Sequence, residues 1–88
     1  MKEFLQHLGI TKEGEYTDDN NYFIDLEDDD TYARIYSLLE KTTELEEDED
    51  ASQLTAENSS IQYVNDQYTV TLLVDYDSDQ YALVCREN

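Results

Sequence analysis

Twenty-three Asp and Glu face only five Lys and Arg in this 88-residue chain, a formal net charge of −18 at pH 7. No other feature constrains the fold as strongly. A buried, unpaired carboxylate costs as much as the whole stability of a small domain, so the acids must stay in water or find partners. Five cations cannot serve them all. The core must come from a hydrophobic content of 39%, below the roughly 45–50% of an average globular chain. A chain this short buries only about 60–65% of the surface that its unfolded form exposes, so that core is thin. Compact-chain scaling gives a radius of gyration of about 12 Å and a body about 31 Å across.

Low hydrophobicity with high net charge is also the mark of disorder. Eight Tyr, two Phe, no Pro and only two Gly argue for packing instead. The charge sets exclusions as well, since nucleic acid and anionic membranes would repel such a surface. No apolar run reaches the ~20 residues of a membrane span, and the start MKEFLQHLGI lacks a secretory apolar region. The lone Cys85 has no internal disulfide partner, which fits a reducing, cytoplasmic setting.

Along the chain, Phe4, Leu5 and Leu8 fall at helical spacing in Lys2–Leu8, with Gly9 placed for a left-handed terminus. Glu15–Thr17 and Tyr22–Leu26 flank the turn-forming Asp18–Asn21 and predict a hairpin. Tyr32, Ile35, Tyr36 and Leu39 mark one face of a helix over Thr31–Lys41, with a preceding Asp as its cap. The acid run Glu44–Asp50 reads as a solvated face or loop, and Asp50–Glu57 as a short helical turn. Ser60–Val64, Tyr68–Tyr76 and Gln80–Arg86 then predict a three-strand meander, in which Tyr68, Val70, Leu72 and Val74 alternate with the opposite face. The expectation is one α+β domain over residues 1–88, ordered α-ββ-α-βββ, with helices on one face of an antiparallel sheet. Tyr22, Tyr32, Tyr36 and Tyr68 belong to the core or its margin. Tyr16, Tyr63 and Tyr76 are expected on the surface beside acids, where tyrosine serves interfaces well.

No catalytic constellation is legible. His7 has no nucleophile placed beside it, and Cys85 alternates with Tyr81 and Leu83 as a buried small hydrophobe would. Gly9 and Gly14 make no phosphate-cradling loop. Asp75-Tyr76-Asp77-Ser78-Asp79 opens like a calcium loop, but Gln80 stands where glycine is needed and Arg86 where a bidentate Glu is needed. No cofactor, metal or enzymatic activity is expected.

The distribution of the acids carries more. Between Asp25 and Asp50 twelve acids face only Arg34 and Lys41. Duplex DNA holds one charge per about 1.7 Å, so a length of roughly 31 Å carries about 18 charges. The candidate contact residues are Asp28, Asp29, Asp30, Glu46, Glu47, Asp48, Glu49 and Asp50, with Tyr76 and Asp77 beside them. In size, charge, tyrosine content and α+β mixture the chain resembles small phage-encoded DNA mimics. These are the anti-CRISPR proteins (the Cas9-directed ones above all), the uracil-DNA glycosylase inhibitors and the antirestriction proteins. The resemblance implies a stoichiometric inhibitor that occupies the basic channel of a CRISPR nuclease, restriction enzyme or DNA repair enzyme. The alternative is an immunity protein or antitoxin that neutralises a basic toxin without blocking its DNA path.

Overall fold

The structure, a computed structural model, describes residues 1–55 and 57–88. Its elements are α1 (Lys2–Leu8), β1 (Glu15–Tyr16), β2 (Tyr22–Asp25), α2 (Asp29–Lys41), β3 (Glu46–Leu54), β4 (Asn58–Val64), β5 (Tyr68–Asp75) and β6 (Gln80–Glu87). The strands form a six-stranded sheet in the order β1-β2-β6-β5-β4-β3, with every neighbouring pair antiparallel. The expected α+β class is present and the expected order α-ββ-α-βββ holds with one strand, β3, added after α2, both helices packing on one face. The radius of gyration is 12.1 Å and the longest extent 31 Å, as the scaling of a compact chain requires.

Hydrophobic alternation sets the register. Across the centre of the sheet Leu72 pairs with Leu83 and Leu83 with Ile24, while Val70 pairs with Cys85 and Cys85 with Tyr22. All six are buried. Leu5 of α1 and Ile35 and Leu39 of α2 pack onto this strip, and Ile10, Leu26 and Leu45 close its margins. A one-residue slip in β5 would turn Val70, Leu72 and Val74 to the other face, so the register has strong support.

Local signals position the helices. The Asp28 carboxylate accepts the Thr31 N–H at 2.8 Å and caps α2. Gly9 ends α1 at φ 97°, a conformation that a side chain disfavours. Gly14 meets a different constraint, because a Cβ there would collide with the Phe23 carbonyl. Its N–H donates to the Tyr22 hydroxyl at 2.9 Å. Among the described residues no helix is long and apolar enough to cross a membrane.

Three expectations need correction. Glu46–Leu54, expected as acidic loop and helical turn, is the edge strand β3 (Ala56, within the expected turn, lies outside the described residues). β4 would otherwise present an open row of N–H and C=O groups, and pairing satisfies them despite the poor strand propensity of Asp and Glu. Tyr63, expected at the surface, is buried at 1% exposure, because it stands opposite Val70 on the helix-covered face. Its hydroxyl donates to Glu40 of α2 at 2.8 Å, which lets the ring sit deep while the polar tip reaches the rim. Tyr36 is not part of the core but lies at its outer edge, 36% exposed and stacked on Tyr32, since Ile35 and Leu39 take the centre of the buried stripe.

Replacing Leu39 or Leu72 by Ala should each lower stability by about 2–5 kcal/mol, measured by denaturant titration. Gly14→Ala should destabilise as well, whereas Tyr36→Ala should have a much smaller effect than either leucine change.

Candidate acidic interface

Of the 23 acids, 22 are exposed and Asp48 is half-buried, so the fold keeps every carboxylate within reach of water. Few are neutralised. Among the described residues Lys2 pairs with Glu13 at 3.0 Å, Lys12 with Glu27 at 3.4 Å, and His7 lies 3.5 Å from Glu44. None of these pairs includes an acid from Asp28–Asp30, from Glu46–Asp50, or Asp77.

The candidate contacts fall into two groups at different places. One lies where α2 begins and β5 turns into β6. Asp29 and Asp79 both act on the Tyr81 phenol, whose pKa is raised by partial burial first and then by these two carboxylates. Tyr32 packs against Tyr81 with ring centroids 5.3 Å apart, and against Tyr36 at 6.5 Å. The Tyr76 N–H donates to the Glu57 carbonyl, which ties the exposed Tyr76 and its neighbour Asp77 to the same end of the sheet. Asp28–Asp30 and Tyr76–Asp77 thus share one acidic, tyrosine-rich end. Asp28 is partly committed to structure. Its carboxyl is held below the ordinary range by hydrogen bonds from Thr31, backbone first, with further help from the charges of Lys12 and Arg34.

The other group runs along β3. Glu46 and Asp48 stand opposite Val64 and Gln62 and face away from the helices, while Glu47 stands opposite Tyr63 and faces toward them. Between Asp48 and Gln53 the register breaks. Four residues, Glu49 to Ser52, there oppose the single Ile61 of β4. Polar bonds hold this bulge. Asp48 Oδ1 accepts the Ala51 N–H at 3.3 Å, and the Ser52 hydroxyl donates to the Asp48 carbonyl while accepting the Gln62 N–H at 3.0 Å. Glu49 and Asp50 are thereby carried out to the sheet edge. The run is a stripe around an edge, and its side chains do not share one face.

Glu40 enters this stripe from α2, which sequence spacing alone did not reveal. Glu47 is pushed above the ordinary Glu value by partial desolvation and then by Glu40 and Glu49. Burial, and then the hydrogen bond to Glu40, raises Tyr63 strongly, so the phenol stays protonated. Glu40, Glu47 and Glu49 therefore repel one another.

His7 and Cys85 lie apart from this surface as functional groups. His7 is exposed beside Glu44, and Cys85 is fully buried, its thiol pushed up to about 12 by burial. Asp75 Oδ1 accepts the N–H of Asp77 at 3.1 Å, so the Asp-rich turn folds onto its own backbone between two strands. Among the described residues no three His, Cys, Asp or Glu stand close enough to hold a metal ion. Compared with protein-family models, curated proteins and solved structures, the chain matches none of them.

A raised folded pKa means that the native state holds a proton that the unfolded chain releases, so stability falls as pH rises through that window. For Glu47 the window begins at the ordinary Glu value of 4.5 and extends upward. Glu47→Gln should raise the melting temperature at pH 7, and its advantage should shrink toward pH 5. Asp28 has the opposite sign. Its lowered pKa stabilises above the ordinary value of 3.8 and is lost as pH falls, so Asp28→Ala should melt earlier than wild type at pH 7.

Proposed function

We propose that this chain is a stoichiometric inhibitor that presents carboxylates in place of DNA phosphates to the basic channel of a DNA-binding enzyme. A CRISPR nuclease in the cytoplasm of a phage-infected bacterium is the first candidate target. The observation that supports this reading best is the pairing of a 31 Å body with a net charge of −18, borne by carboxylates almost all of which are exposed and unpaired. That density is close to the roughly 18 charges on the same length of duplex. The two acidic groups border different parts of the sheet, so a channel that wraps its ligand could meet both. Tyr76 at one of them would supply contact area that acids lack.

Direct contacts would be hydrogen bonds from Arg and Lys to carboxylates, each worth about 1.5–3 kcal/mol. Association should be fast at low salt and weaken steeply as salt rises. The protein carries no condensed counterion sheath, so its salt slope should be shallower than that of DNA at the same site.

The test is capture of purified CRISPR nuclease, restriction enzyme and uracil-DNA glycosylase, each with and without saturating duplex DNA. For the true target, DNA should abolish binding. Asp29→Asn, Glu49→Gln and Asp50→Asn together should weaken it by about tenfold or more without lowering the melting temperature. These positions leave the Asp28 cap and the Asp48 bulge bond intact. Neutralising Glu3, Asp18 and Glu87 should matter much less. If binding survives saturating DNA, the chain works as an immunity-type protein at a separate surface. If both triple variants behave alike, the acidic stripes are not the contact.

A further inference from the structure

The face of the sheet opposite the helices is left uncovered, and its register lays out a groove. One cross-strand row runs Asp25, Ala82, Leu73, Ser60 over β2, β6, β5 and β4. The row nearer the β5–β6 turn holds Gln80, Asp75 and Asn58, and the row on the other side holds Phe23 and Val84. A cavity of about 630 Å³ sits on these rows, with Ala82 and Leu73 in its lining and Phe23, 41% exposed, beside them. Asp25 and Asp75 also line it, and no cation does. Lys12 lines the adjoining groove, which shares Phe23 and Asp25, and is held by Glu27 at 3.4 Å.

Both carboxylates are oriented. Asp25 Oδ1 accepts the Glu27 N–H at 3.0 Å and Asp75 Oδ1 accepts the Asp77 N–H at 3.1 Å, which leaves one oxygen of each for an incoming donor. Two strand spacings and two residues of rise place their Cα atoms about 12 Å apart. A planar cation seated above Ala82 and Leu73 would lie between these two carboxyl groups, both of which line the cavity.

Charge decides the occupant. A second copy brings another −18 to a negative groove, and nucleic acid or anionic lipid is repelled in the same way. A basic protein is attracted. Arginine fits better than lysine because its flat fork can donate to both carboxylates, stack on an exposed ring, and lay its methylenes along Ala82 and Leu73. We propose that this groove is a docking site for an arginine side chain of a basic partner protein, presented with a neighbouring apolar residue. The inference takes from the proposed function only that the partner is basic.

The probe is the blocked tripeptide acetyl-Leu-Arg-Leu-amide, titrated into the full chain and followed by amide NMR. Saturable shifts confined to Phe23, Asp25, Leu73, Asp75, Ala82 and their neighbours are expected. The citrulline counterpart, equal in shape but uncharged, should leave them unmoved, and the lysine counterpart should bind about threefold or more weakly. Asp25→Asn with Asp75→Asn keeps a side-chain oxygen to accept the Glu27 and Asp77 N–H groups, so the spectrum should stay dispersed while affinity falls about fivefold or more. Shifts spread over the whole acidic surface, shifts centred on Glu46–Asp50, equal binding of the citrulline or lysine peptide, or an unaffected double variant would each overturn the proposal. The outcomes separate from those above. Localised shifts together with nuclease binding that ignores DNA would sink the mimic reading and leave the groove standing, and the reverse result would do the opposite.

Discussion

The contact between the apolar stripe of α2 and the central strands carries the rest of the molecule. Ile35 and Leu39 share one buried cluster with Val70, Leu72, Leu83 and Cys85, and Leu5 of α1 belongs to it as well. A fully buried aliphatic side chain contributes about 1.5–3 kcal/mol, while an exposed ion pair contributes about 1 kcal/mol at most. Among the described residues two lysine–carboxylate pairs against 23 acids cannot offset mutual repulsion. Cohesion is therefore hydrophobic and one-sided, and the electrostatic load is carried as a penalty. Among the described residues every buried side-chain nitrogen and oxygen has a hydrogen-bond partner, so this thin core holds no second large penalty.

Elements with strict periodicity were legible in the sequence. The alternation of Val70, Leu72 and Val74 implied one buried face, and the spacing of Ile35 and Leu39 implied the helix that covers it. Gly9 marked the end of α1 because it acts through a local backbone requirement, and an Asp does cap α2, but at Asp28, so that the helix begins at Asp29 rather than at Thr31. The strand β3 was not legible, and the reason is physical. Its side chains, EEDEDASQL, have neither strand propensity nor apolar alternation. It exists because β4 needs a pairing partner, and that demand comes from another part of the chain. Tyr63 was misjudged for a related reason. The segment around it mixes polar and apolar residues, and its face is set by pairing with Val70 across the ladder.

The candidate site shows the same division. Sequence located the acids and implied that they would be exposed, since burial of so many charges is impossible at this size. It could not say which of them share a surface. Asp28–Asp30 and Tyr76–Asp77 come together only through the packing of Tyr32 on Tyr81 and the tie between Tyr76 and Glu57. Glu40 joins Glu47 only because β3 lies beside α2. The groove between Asp25 and Asp75 is a product of strand register, which brings β2 beside the β5–β6 hairpin from a distant part of the chain, and no spacing in the sequence encodes it.

Charge also shapes how the sheet ends. An exposed strand edge invites pairing with another chain. At one edge β1 is only two residues long, too short to template a partner. At the other, β3 carries acids through its first half, Glu46–Asp50, and a bulge at Glu49–Ser52 interrupts the regular ladder. Two copies meeting there would bring like charges together at the spacing of paired strands. The arrangement that leaves this surface open to a basic protein thus closes it to the chain itself. The open sheet face follows the same logic, since its apolar floor of Leu73 and Ala82 is bordered by Asp25 and Asp75. An approaching copy must bring its own carboxylates against them before any apolar contact can form, whereas a cationic partner has those carboxylates as its first attraction.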